Sequence, residues 1–395
     1  MRTPEPRRRR AVRRAAVAAA AGAAIAGAAA FPAPAHALTP PGCGDHAATS
    51  RALHRITGAD GLTGATVRID DPRCGTWTEA SGVADRRTGR PMPADPRVRV
   101  GSITKSFTAV TVLQLAAQGR VSLDAPVARY LPGLIDANGH DGRDITVRSL
   151  LRHTSGLPDH MDSFQSTDEF RFRHFEPEEL VRRALRLPDP GRGWHYSTTN
   201  YVVAGLIVEK VTGHRLEDET ERRIIRPLGL RGTYWPGDET RIRGPHPRGY
   251  VRVERDGTVR RADGTEMNTT AAWAGGALIS TPRDVNAFYG ALLGGRLLPA
   301  GMLADMERAV PTDPDRTWPG AAYGLGLIGT PLRCGGTWWG HAGDIDGFTT
   351  LAGVAPGGRR VSIAFNENPA TQAAFDDELD LVRTGLCDHP GTETS

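Results

Sequence analysis

The order in which strand-like and helix-like spacing alternate along this chain constrains its fold most. Apolar residues alternate over residues 65–70 and again over 75–83, the pattern of two half-buried strands. Strand signals then stop. From Ile103 to Ala117 the spacing becomes helical and closes at Gly119, and further helical patterns cover Glu178 to Leu185 and Tyr201 to Lys210, the last closed by Gly213. Strand-like runs return at Trp338 to Gly340, Gly347 to Val354 and Val361 to Asn366, and a closing helix is predicted from Ala373 to Leu386. Strands, then helices, then strands predict an α+β fold. Its antiparallel sheet, flanked by helices, is completed by the two ends of the chain, with an all-helical lobe over about residues 103–270 inserted between them.

The first 37 residues read as an export signal. Arg7 to Arg10, Arg13 and Arg14 precede an Ala-rich apolar run from Ala15 to Phe31, and Ala35-His36-Ala37 resembles a processing site. The paired arginines leave both the twin-arginine and the general secretory routes open. The run is short for a bilayer span, so no stable membrane anchor is expected. The formal charge of +4 resides mostly in this segment, which carries seven Arg and one Glu; the remainder is close to neutral at −2, which removes support for a nucleic-acid partner. All four cysteines, Cys43, Cys74, Cys334 and Cys387, fall in the part expected to be exported, where two disulfides are favoured over free thiols. Of the three possible pairings, Cys43 with Cys74 and Cys334 with Cys387 join segments that are neighbours in sequence. None of the spacings resembles a metal motif, and no cofactor is implied. Residues 38–387 form the expected catalytic domain, 388–395 a flexible tail, and the protein is expected to be monomeric.

The chain has 47 arginines and two lysines, and one lysine, Lys105, lies three residues after Ser102 at the head of the first predicted helix. An i, i+3 pair shares one helical face. A buried lysine can lose its proton and act as a base, which arginine cannot. A helix cap at Ser102 with a solvated Lys105 is the commoner meaning of such a pair; the scarcity of lysine favours chemistry. A second phrase, Gly193-Trp194-His195-Tyr196-Ser197-Thr198, runs from a Gly-rich loop into a helix with Tyr196 at the turn. A third, Trp338-Trp339-Gly340-His341-Ala342-Gly343-Asp344, reads as strand leading into a Gly-rich turn where a substrate backbone approaches a strand edge. There is no Gly-x-Ser-x-Gly elbow, phosphate-binding loop or His-Glu-x-x-His.

Together and in this order the three phrases resemble the serine penicillin-recognising hydrolases, in particular secreted D-alanyl-D-alanine carboxypeptidases of actinomycetes and class C β-lactamases. Leu150-Leu151-Arg152-His153-Thr154-Ser155-Gly156-Leu157-Pro158, Arg226-Pro227-Leu228-Gly229-Leu230 and Tyr323-Gly324-Leu325-Gly326-Leu327 agree, and the resemblance covers roughly Ala48 to Cys387. It implies Ser102 as the acylated nucleophile, Lys105 as its base, Tyr196 as the proton shuttle and His341 as a catalytic strand residue. It further implies the backbone N–H groups of Ser102 and Asp344 as the oxyanion hole, and Thr198, Ala342 and Gly343 as substrate-binding positions. The implied substrates are D-alanyl-D-alanine peptides and β-lactams. Two positions depart from the family pattern: Thr198 stands where Asn is usual, and Ala342 where Thr or Ser helps hold a terminal carboxylate. A class C-like β-lactamase, an esterase, a D-aminopeptidase and a catalytically silent ligand-binding homologue remain alternatives.

Overall fold

A computed structural model describes residues 43–388 apart from Asp256. The export signal expected over residues 1–37 and almost all of the expected tail lie outside the described residues.

The central sheet draws on both ends of the chain. Strands β1 (Gly64–Asp71), β2 (Gly75–Asp85) and β3 (Arg90–Pro91) come from the first part; β4 (Val310–Pro311), β5 (Ala322–Tyr323), β6 (Ile328–Pro331), β7 (Thr337–Ile345), β8 (Phe348–Val354) and β9 (Arg360–Phe365) come from the last. They pair in the order β4-β5-β6-β7-β8-β9-β1-β2-β3, antiparallel throughout. The seam is β1 against β9, with Ala65 opposite Phe365 and Ile69 opposite Val361.

Helices cover both faces. Helix α1 (Ala47–Gly58) places Leu53 and Ile56 in a core that also contains Val67, Ile363, Leu379 and Val382. The last two belong to the closing helix Gln372–Cys387. Both disulfides form as expected, Cys43 with Cys74 and Cys334 with Cys387, and tie the ends of this layer to the sheet. A second, larger core fills the other side. Its axis is α2 (Thr104–Ala117), apolar around most of its circumference and therefore buried rather than amphipathic. Around it pack α3 (Thr198–Thr212), ended by Gly213 at a φ of 75°, and α4 (Pro282–Leu293), whose Phe288 stacks on Phe107 of α2 at 3.7 Å.

The inserted segment is not wholly helical. It includes an exposed hairpin, Tyr250–Arg255 with Thr258–Asp263, and the short ladder of Asp136–Ala137 with His140–Asp141. The hairpin's apolar residues Val253 and Val259 lie in the open, whereas Tyr250 at its start is buried. Among the described residues no helix is long and apolar enough to cross a membrane.

Candidate active site

Ser102 lies in a 3-10 turn, Gly101–Ile103, that runs directly into α2. Its hydroxyl therefore sits at a helix start, where backbone N–H groups lack intrahelical partners. One turn on, Lys105 is wholly buried and its Nζ reaches both Ser102 Oγ (3.0 Å) and the carbonyl oxygen of Gly275 (2.8 Å). Burial disfavours the ammonium form, and the Lys105 pKa is pushed down to about 7, with Asp159 opposing the shift. A neutral Lys105 amine can donate to Gly275 O and turn its lone pair to the Ser102 hydroxyl.

Tyr196 closes the third side. Lys105 Nζ lies 4.8 Å from the centre of its ring, and the phenol reaches the Ser102 side chain. Burial holds its pKa far above the usual phenol range, so it stays a proton carrier and not a phenolate. Thr198, the first residue of α3, shares the wall.

Two backbone segments are pressed together where the resemblance implies an oxyanion hole. Gly101 has a φ of +50°, and a Cβ there would stand 2.8 Å from both the N and the O of Asp344. Reciprocally, a Cβ on Gly343 would stand 2.0 Å from Val100 O and 2.9 Å from Ser102 N. Only two glycines allow this approach, which brings the backbones of Ser102 and Asp344, two residues that line the cavity, close together. Thr350 Oγ1 bridges the pair by donating to Val100 O at 3.0 Å.

These groups open on a cavity of about 240 Å³. Its floor is Ser102 and Lys105; Met161, Phe170, Met267 and Ile345 give it apolar walls; Asn268, Asn368, Asp344 and Asp346 line its polar side. Among the lining residues Lys105 is the only base. Arg333, the arginine nearest in sequence to the third phrase, is exposed and pairs with Asp380 at 3.7 Å.

The third phrase needs correction. Strand β7 does not turn after Gly340; it continues to Ile345, with His341 opposite Ala352 and Asp344 opposite Thr349. Successive strand residues point to opposite faces, so His341 and Ala342 cannot both face the cavity. His341 is buried, accepting at Nε2 from Tyr323 Oη (2.9 Å) while Nδ1 bonds the Ala342 carbonyl, and its pKa is pushed down to about 3 by burial. Both ring nitrogens are used within the protein, so the expected catalytic role has no atom to perform it; His341 is a strut behind the strand. Ala342 is half-buried at the edge of the α1-side core and does not line the cavity. Gly343 makes room for Val100 and Ser102 rather than for substrate.

Several contributors gave no sequence signal as site residues: Gly275, which acts through a carbonyl; Asn268, Asn368 and Asp346; and His153, noted only as part of a family phrase. Gly275 betrays itself in retrospect, because a Cβ there would lie 2.6 Å from Thr198 Cγ2 and 3.4 Å from Lys105 Nζ.

A serine and a buried lysine on one helical turn, under a tyrosine and beside a strand edge, between a helical layer and an antiparallel sheet, define a class of serine hydrolase. The beta-lactamase family model matches residues 8–383, and the chain belongs to that family. Among solved structures it is similar to a D-stereospecific amidohydrolase from Streptomyces sp., at 41% identity over 85% of this chain and 98% of that one, with a TM-score of 0.76. It is also similar to the D-amino acid amidase of Ochrobactrum anthropi SV3, at 28% identity over 85% of this chain and 99% of that one, TM-score 0.72. Esterase EstB of Burkholderia gladioli is 35% identical over 207 residues, 48% of this chain and 50% of the esterase. The matches span half or less of the length of the first curated relatives.

Proposed function

We propose that the protein is an exported serine acyl hydrolase that cleaves amides or esters of amino acids, the acyl group carrying an ammonium or no charge. In this reading neutral Lys105 takes the Ser102 proton as Oγ attacks the carbonyl. The N–H groups of Ser102 and Asp344 receive the developing oxyanion, a contribution of ~3 kcal/mol per donor. Tyr196 delivers a proton to the leaving nitrogen, and water then releases the acyl group from Ser102.

The observation that carries the choice of substrate is the charge of the cavity. A terminal carboxylate, as in a D-alanyl-D-alanine peptide or a penicillin, needs a fixed cation or strong donor. Here the only base among the lining residues is Lys105, whose charge is suppressed, while Asp346 repels an anion and attracts an ammonium. The two amide-cleaving relatives agree with this. The D-alanyl-D-alanine carboxypeptidase is the second reading, favoured by the order of the sequence phrases. Export is supported by the two disulfides.

The test is hydrolysis of D-phenylalaninamide and of a D-alanyl-D-alanine peptide by the full chain and by Ser102→Ala, with intact mass to detect the acyl-enzyme. Ammonia release dependent on Ser102 and little cleavage of the peptide are expected. D-Alanine release with no amidase activity would replace this reading by the carboxypeptidase one. Asp346→Asn should then raise KM for the ammonium-bearing amide about tenfold while leaving a neutral acetyl ester almost unchanged.

A further inference from the structure

His153 stands where the helix Val147–Arg152 ends, in the left-handed region at φ 62°, ψ 36°. Sterics disfavour that region for any residue with a Cβ, and such strain persists only where the surroundings impose it. The surroundings here are the Tyr196 loop. His153 O accepts from His195 N at 2.8 Å, and His153 Nδ1 accepts from Ser197 N at 3.1 Å, so the residues on either side of Tyr196 are both held by His153. A third donor, Asn200 Nδ2, reaches the same Nδ1 at 3.1 Å; its orientation follows because Asn200 Oδ1 accepts from Ser155 Oγ at 2.5 Å.

With Nδ1 accepting from a backbone N–H, the ring proton is assigned to Nε2. Nε2 is buried without a nitrogen or oxygen partner, and the ring is enclosed by Tyr196 (centroids 4.4 Å apart, 30° between planes), Tyr323 (4.7 Å, edge-on) and Tyr201 (5.3 Å). Burial first, and then the nearby Lys105 and His341, disfavour a second proton on it. His153 thus offers the Tyr196 loop a neutral double acceptor and a flat surface against the phenol ring.

We propose that His153 is a positioning residue that fixes the Tyr196 phenol for proton delivery to a leaving nitrogen, so that its loss penalises amides more than activated esters. The inference rests on the acyl-Ser102 reading with Tyr196 as proton donor. When the C–N bond breaks, the electron pair stays on nitrogen and must gain a proton; that proton comes from Ser102 by way of Lys105 and Tyr196. A p-nitrophenolate leaves without one, so displacing Tyr196 should affect it little.

D-Phenylalaninamide and the p-nitrophenyl ester of D-phenylalanine give the same acyl-enzyme, and kcat/KM for both is measured with the full chain. Tyr196→Phe should lower the amide value about 100-fold more than the ester value. His153→Ala should lower the amide-to-ester ratio at least about tenfold. His153→Asn, which keeps an acceptor near Nδ1 but loses the ring against Tyr196, should lower it severalfold, and decides the matter if His153→Ala does not fold. A wild-type ratio in the folded His153 variants, with both substrates losing equally, overturns the proposal while Tyr196→Phe still shows its split. Absence of that split in Tyr196→Phe overturns the reading beneath it and the proposal together.

Discussion

Gly343→Ala tests whether the two-glycine contact, rather than any side chain of the third phrase, builds the oxyanion geometry. The added Cβ would lie 2.0 Å from Val100 O, 2.9 Å from Ser102 N and 2.9 Å from Thr350 Oγ1. Non-bonded carbon contacts settle near 3.5 Å, so the Val100–Ser102 backbone and β7 must part by about 1.5 Å or tilt apart. Neither neighbour is the flexible end of a side chain, and Thr350 Oγ1 already binds Val100 O and Gly343 O. The shift therefore falls on the Ser102 amide. A displacement near 1 Å at a reacting group costs roughly 10²-fold, and loss of one oxyanion donor ~10²–10³-fold. The expected result is a kcat lowered about 10²–10³-fold with KM little changed, and a stability loss of about 1–3 kcal/mol from overpacking. Burst kinetics with a p-nitrophenyl ester, alongside thermal unfolding, measure both. Gly340→Ala is the control: its Cβ would lie 1.9 Å from Ala352 O, on the same strand but away from Ser102 N. A Gly343→Ala enzyme within threefold of wild-type kcat would refute the reasoning. So would an equal loss of kcat in Gly340→Ala at equal destabilisation.

Acylation by a neutral ester such as p-nitrophenyl acetate should rise with pH and level off above about 7, because the base works only after Lys105 loses its proton at a pKa of about 7. His153 and His341 are both held well below the ordinary histidine range, so neither supplies that limb; a flat profile between pH 6 and 8 would remove Lys105 from the role. Glu378 is wholly buried with neither carboxyl oxygen partnered, and burial together with Asp344 and Asp60 raises its pKa well above 4.5. The folded state therefore holds a proton that the unfolded state releases above about 4.5, so this group's relative stabilisation is greatest at low pH and falls as pH rises toward its folded pKa. Glu378→Leu should gain stability over wild type by up to ~1.4 kcal/mol per pH unit across that window. A melting-temperature difference constant from pH 4 to 8 would exclude this.

How much of the site was legible depended on how local each signal was. Ser102 and Lys105 are one helical turn apart, so their contact followed from spacing, and the scarcity of lysine marked which pair to consider. The sheet was legible for a similar reason, since β1 and β2 carry their own alternation and β8 and β9 their own apolar runs; the hairpin over residues 250–263, whose Val253 and Val259 face solvent, was missed. The third phrase was misread for want of the strand period itself. Once His341 to Asp344 is placed in a strand, His341 must point away from Ala342, and Gly343 becomes a space for another segment.

What no spacing reveals is a partner supplied by the backbone of a distant segment. Gly275 gives Lys105 a carbonyl from 170 residues away, a group every residue carries; only the missing Cβ is specific. Sequence can name a lysine but not show what buries it, and burial is what moves its pKa from 10.5 to about 7. The same holds for His153, whose family phrase marks a helix end while its two side-chain donors come from residues 44 and 47 positions later. Ser102 and Lys105 are therefore readable from one helical turn, whereas the environment that surrounds them is assembled across the fold. Variants such as Gly343→Ala and His153→Asn, which leave Ser102, Lys105 and Tyr196 unchanged, are for that reason the more searching tests of how the site works.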